Sequence, residues 1–188
     1  IPTLGISEYL AITTDNSKLY ATNIADNTVS VIDTINNSVN PFLTLTNSPK
    51  GIALNPDASK IFVSFNVPDK IKIYDSIDPL GSFTSVNVGN SPYGIIYLNN
   101  GNIYVVNEGS DNVSIVNLNS ATVTGTINVG DKPTWIIPTN DEKYLYVSSG
   151  GSGSTTNDIK VIKVSDNSIV QTITDPTLKT PRTITFNK

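Results

Sequence analysis

Four prolines are each followed by a residue able to bind: Lys50 after Pro49, Tyr93 after Pro92, Thr134 after Pro133 and Arg182 after Pro181. Two cations, a phenol and a hydroxyl together suit an anionic or sugar-like ligand, although ordinary solvation of a loop explains the same residues without one. Trp135, the single Trp, stands next in line, where the earlier copies have Gly51 and Gly94. It suits core filling or a stacking face, and burial is what large aromatics usually supply. The chain has no His and no Cys. A nucleophilic Ser or Thr would then need Lys or a carboxylate to activate it, and no Gly-x-Ser-x-Gly elbow leads into a helix. The look-alike Gly151-Ser152-Gly153 sits in the stretch from Gly150 to Ser154, whose composition is that of a flexible linker. That stretch also lacks the Lys-Ser or Lys-Thr ending of a phosphate-cradling loop. Asp75, Asp78, Asp131, Asp141 and Glu142 offer oxygen ligands. None has the spacing of a calcium loop, and turn formation by Asp accounts for each. No catalytic residue, cofactor or metal site is therefore expected. Asn36 and Asn112 are acceptor sequons for N-glycosylation, which matters only in a host that exports and glycosylates the chain.

Residues 40 or more positions apart need a scaffold to meet. The chain's 188 residues are 38% hydrophobic and 15% charged, with net charge -4, enough for one domain with a real core. No apolar run nears the roughly 18 residues of a membrane span, and no basic block offers phosphates a landing surface. Transmembrane and nucleic-acid readings fall on those grounds. Asn, Thr and Ser outnumber the charged residues by more than two to one, which favours strands and turns over helix.

Internal repeats supply the scaffold. The run Leu19-Tyr20-Ala21-Thr22-Asn23 returns at Ile61-Phe62-Val63-Ser64-Phe65, Ile103-Tyr104-Val105-Val106-Asn107 and Leu145-Tyr146-Val147-Ser148-Ser149. Its aromatic advances by 62−20, 104−62 and 146−104, each 42. A second block, beginning at Val29, Ile71 and Val113, keeps that interval and reappears at Ile159, displaced by the extra loop at Gly150 to Ser154. A third block carries the prolines, and its first copy is degenerate at Tyr9 to Ile12. Each unit thus holds four short strand-like runs separated by Asn, Asp, Gly and Pro, which is the pattern of a β-propeller blade. The fold class expected is all-β, a propeller of four-stranded antiparallel blades of about 42 residues, as one domain with units at about 7-48, 49-91, 92-132 and 133-180. Residues 1-4 resemble the end of an outer strand and 181-188 an inner strand, so the chain reads as a slice of a larger propeller or an arc completed by other subunits.

Tyr20-Ala21-Thr22-Asn23, Tyr104-Val105-Val106-Asn107, Asn27 to Asp33 and Pro49-Lys50-Gly51-Ile52-Ala53 resemble the YVTN-type β-propeller repeat over nearly the whole chain. The resemblance implies an extracellular or cell-surface home, since similar proteins include surface-layer and secreted propellers, with lactonase-like and quinoprotein-like propellers as more distant kin. The expectation is a noncatalytic, secreted scaffold that meets protein partners, or copies of itself, through terminal strands and loops. Two rivals stand beside it. One is a slice of a propeller enzyme. The other is a propeller binding a ligand or a cell-surface glycan at the channel mouth around Lys50, Tyr93, Thr134, Trp135 and Arg182.

Overall fold

Period-2 alternation of β-branched and aromatic residues, broken every few positions by Asn, Asp or Gly, produces short strands joined by tight turns. The structure, a computed structural model, describes residues 7–174. Its first sheet holds β1 (Ser7–Ile12), β2 (Lys18–Asn23), β3 (Thr28–Asp33) and β4 (Ser38–Thr44). The second holds β5 (Ile52–Leu54), β6 (Lys60–Asn66), β7 (Asp69–Asp75) and β8 (Thr84–Asn87). The third holds β9 (Pro92–Tyr97), β10 (Asn102–Asn107), β11 (Asn112–Asn117) and β12 (Thr122–Asn128). The fourth holds β13 (Pro133–Pro138), β14 (Tyr144–Ser149), β15 (Asp158–Lys163) and β16 (Ser168–Thr174). Every sheet is an antiparallel meander in chain order, four β-propeller-like blades with the first strand innermost. One short 3-10 turn, Glu108–Ser110, interrupts the strands. No helix among the described residues is long and apolar enough to cross a membrane. The terminal stretches 1-4 and 181-188, and with them Arg182, lie outside the described residues.

The repeat register is the pairing register. Leu19 faces Ile32, Ile61 faces Tyr74, Ile103 faces Val116 and Leu145 faces Ile162, all between the second and third strands of their blades. Ile61, Ile103 and Leu145 are fully buried, as expected of the repeat. Leu19 is only half-buried, a departure with a physical cause. Leu10, on the strand that pairs with it, is 58% exposed, whereas the matching Ile52, Ile95 and Ile136 are 5%, 5% and 2% exposed. The inner blades have a preceding blade to cover that face; the first has none among the described residues.

Asn at the end of the repeat motif serves the blade itself. Asn23 Nδ2 donates to Ser30 Oγ, and Asn107 Nδ2 donates to Ser114 Oγ, both at 2.9 Å, clamping second strand to third. The second blade replaces the pair by Phe65 and Lys72, and the Lys72 ammonium stands 5.2 Å from the Phe65 ring centre. Burial pushes the Lys72 amine below its ordinary value.

The turns between first and second strands explain the acidic residues. Asp15 accepts from the Thr13 hydroxyl at 2.6 Å and the Ser17 N–H at 3.0 Å; Asp141 accepts from the Thr139 hydroxyl at 2.7 Å and the Lys143 N–H at 3.2 Å. Asp57 closes the equivalent turn through Ser59. The next residue adopts a left-handed conformation each time, at Asn16, Ala58 and Glu142. These hydrogen bonds, led by those of Thr13 and Thr139, hold the Asp15 and Asp141 carboxyls down to about 2. Because a carboxylate whose pKa is lower folded than unfolded stabilises the fold above about pH 4, that contribution disappears as pH falls toward about 2. The melting temperature of the double variant Asp15→Asn, Asp141→Asn should therefore depend less steeply on pH between about 4 and 2 than that of the parent. Identical slopes in thermal denaturation across that interval would count against the turn assignment.

Candidate functional site at the channel mouth

Strand pairing identifies which residues share each position around the channel. Leu10 faces Ala21, Ile52 faces Val63, Ile95 faces Val105 and Ile136 faces Val147, so these four are equivalent. Two residues earlier in each blade stand Glu8, Lys50, Tyr93 and Thr134. One residue earlier stand Tyr9, Gly51, Gly94 and Trp135. The sequence reading found Lys50, Tyr93 and Thr134 by their prolines and missed Glu8 and Tyr9, because the first copy has Ser7 where the others have Pro. A match on spacing alone, 50−8 = 42, would have found Glu8.

These positions interlock. Lys50 Nζ lies 3.1 Å from Glu8 Oε2 and 5.1 Å from the Tyr93 ring centre, and the Tyr93 hydroxyl donates to Glu8 Oε1. Tyr9 and Trp135, the two rings that occupy glycine places, stack on each other at 4.9 Å and 16°, joining the first blade to the fourth. Tyr93 meets Tyr9 edge-on at 5.6 Å. Burial, then Tyr93 and Glu8, push the Tyr9 phenol well above its ordinary value, so it stays neutral. Trp135 thus does both things its residue type allows, since it packs against the core of the first two blades and lines the mouth. Its indole N–H is buried without an acceptor among the described residues.

Glycine permits the close approach on which this ring depends. Ser64 Oγ accepts from the Gly51 N–H at 2.9 Å and donates to the Tyr93 carbonyl at 2.7 Å, tying the second blade to the third. A side chain on Gly51 would run into that same carbonyl.

The Gly/Ser loop is not the free linker its composition suggests. Gly151 N–H donates to the Lys132 carbonyl at 3.0 Å, and Lys132 Nζ donates to the Ser152 carbonyl at 2.5 Å. The Thr155 N–H and hydroxyl both reach Asp131 Oδ2, and the Thr155 N–H is foremost in lowering that carboxyl. Gly150 and Gly151 are buried. A Cβ on Gly151 would meet the Glu108 carboxylate and come within 2.9 Å of Lys132 Cβ, so glycine here serves contact rather than flexibility.

Blades and loop enclose a concavity of about 370 Å³ lined by Glu8, Tyr9, Tyr93, Glu108, Thr134, Trp135, Gly151 and Ser152. Four of the five residues expected at the mouth therefore come together, with Lys50 held against two of the lining side chains. Thr134 is buried in the wall rather than free at the rim. Glu108 was invisible to the repeat, because it belongs to a turn that differs from blade to blade. The expected glycan acceptors lie elsewhere: Asn36 on the exposed turn between β3 and β4, and Asn112 half-buried at the start of β11, accepting from Asn107 Nδ2 at 2.7 Å. Asp75 caps its own turn through the Ile77 N–H at 2.9 Å.

No family and no curated protein matches the chain. Among solved structures it is similar to the hydrazine synthase of Kuenenia stuttgartiensis, with TM-score 0.83, 18% identity, 93% of this chain covered and 51% of that one. The chain thus spans about half the length of that protein. At such identity the likeness speaks for architecture alone, and a fold shared with 1340 solved chains assigns no chemistry. Four antiparallel four-stranded blades and this structural likeness identify the chain as β-propeller-like.

Proposed function

We propose that this chain is a noncatalytic propeller of the YVTN-repeat type, acting outside the cell as a binding scaffold whose site is the channel mouth. One observation carries the reading. Tyr9, Tyr93 and Trp135, from three different blades, converge with the Glu8 and Glu108 carboxylates on one hollow. Mutually packed aromatics beside ionised groups are how a rigid scaffold orients a small ligand. The repeat motif supports the family reading, and Leu10, exposed where its equivalents in the other blades are buried, supports a place beside further protein at the first blade's open face.

A thermal-shift screen of uncharged, cationic and anionic small molecules tests the binding role. At least one class should raise the melting temperature of the parent protein, and the gain should vanish in Tyr93→Ala and Trp135→Phe. A screen with no hit would overturn the binding role, and a hit that both variants retain would place binding elsewhere. Lactone hydrolysis or substrate oxidation by the purified chain, abolished by one substitution, would overturn the noncatalytic part.

A further inference from the structure

We propose that the mouth takes a neutral saccharide, seated against the Trp135 side and hydrogen-bonded through a vicinal diol to the Glu108 carboxylate. The inference rests on the mouth being a binding site.

Anions fare worst. Glu8 and Glu108 both line the hollow, no Lys or Arg is among its described lining residues, and the Lys50 ammonium beside it is already paired with Glu8 at 3.1 Å. An anion would meet carboxylates with no uncommitted cation to offset them among the described lining residues.

Organic cations have the opposite charge but the wrong walls. Recognition of an ammonium group in an aromatic cage needs several ring faces converging on one point. Tyr9 and Trp135 lie within 16° of parallel at 4.9 Å, so they cover each other, and their remaining faces look in opposite directions. Tyr9 is buried, and Tyr93 already has the Lys50 ammonium 5.1 Å from its ring centre. Of the three rings, Trp135 is the part-buried one with no cation set over it, and it lines the hollow.

A sugar ring matches one platform with carboxylates beside it. Its C–H face is apolar enough to lie on an aromatic ring, while its hydroxyls both donate and accept. Glu108 forms none of the ion pairs among the described residues, and a carboxylate accepts two hydroxyl hydrogens in parallel, which suits neighbouring hydroxyls on one ring. Hydroxyl oxygens can also take up donors, and the Trp135 indole N–H is a buried donor without an acceptor among the described residues. Glu108 is fixed for this task by Gly151, whose missing side chain lets the loop close against the carboxylate. The hollow, about 370 Å³, is near the small end of ligand pockets, roughly 300–1,000 Å³, so a mono- or disaccharide fits better than a long polymer segment.

Trp135 is the chain's single Trp and reports on its own site. The full chain would be titrated with D-glucose, D-mannose, N-acetyl-D-glucosamine and their disaccharides, followed by Trp fluorescence and saturation-transfer NMR. Choline and spermidine, and separately citrate and sulfate, serve as the cationic and anionic arms. At least one sugar should perturb Trp135 fluorescence saturably, and Glu108→Gln should weaken it about tenfold or more while leaving the melting temperature unchanged. Binding by a cation or an anion at Trp135 with no sugar bound would overturn the saccharide proposal and leave the binding role intact. No binding in any arm would overturn both. Sugar binding that survives Glu108→Gln unchanged would show that the carboxylate contact is wrongly assigned.

Discussion

Phe62→Ala is expected to cost about 3–5 kcal/mol, a large share of the roughly 5–15 kcal/mol that holds an ordinary domain together. Phe62 is fully buried in the second blade, in one cluster with Ile71, Ile73 and Val86 of its own sheet and Ile95, Ile103 and Val105 of the next. Its ring lies nearly parallel to that of Tyr97, at 5.5 Å and 9°. Removing it leaves a cavity between two sheets whose backbones are fixed by their ladders, so collapse can recover little. Phe62→Leu keeps most of the volume and should cost much less. Urea denaturation of the three proteins measures the difference. A loss under about 1 kcal/mol for Phe62→Ala would mean that blade packing is looser than the contacts describe.

Gly51→Ala should be almost as damaging for a different reason, and it should act at the mouth. The added Cβ would run into the Tyr93 carbonyl and stand 2.9 Å from Ile95 Cγ2 and 3.1 Å from Ser64 Oγ. A carbonyl cannot rotate aside as a side-chain tip can. The third blade must shift as a body, at a cost of about 1–3 kcal/mol or more, and the Ser64 bridge between blades is strained with it. Gly125→Ala is the control, because its Cβ would meet only the flexible end of Ile115, at 3.3 Å. The expected result is a lowered melting temperature for Gly51→Ala, together with altered Trp135 fluorescence as Tyr93 moves. Gly125→Ala should change both little. Equal behaviour of the two variants would remove the close approach at Gly51 from the account of the mouth.

The difference between these two variants lies in what is local and what is not. Alternation at Ile61 to Phe65 and the turn at Asn55 to Ser59 are fixed by neighbours a few residues away, and the 42-residue interval carries that local pattern from blade to blade. Sequence alone therefore determined the four sheets, their strand order and the register that sets Leu19, Ile61, Ile103 and Leu145 in equivalent places. It also singled out Lys50, Tyr93, Thr134 and Trp135 as candidates at the channel mouth, the first three because each follows a repeated proline and Trp135 because it stands next in line. Only the tertiary structure decided what those residues meet. Glu8 and Tyr93 are 85 positions apart and are joined by a hydrogen bond across the channel. Glu108 and Gly151 touch through turns that no repeat relates, and a Gly/Ser loop of linker composition is pinned by Asp131 and Lys132. The physical reason is that strand pairing is set within a blade by alternation and turn chemistry, whereas the mouth is set by how whole blades lean on one another. That curvature depends on packed volumes such as Phe62 and missing side chains such as Gly51, which act between segments the linear order keeps apart.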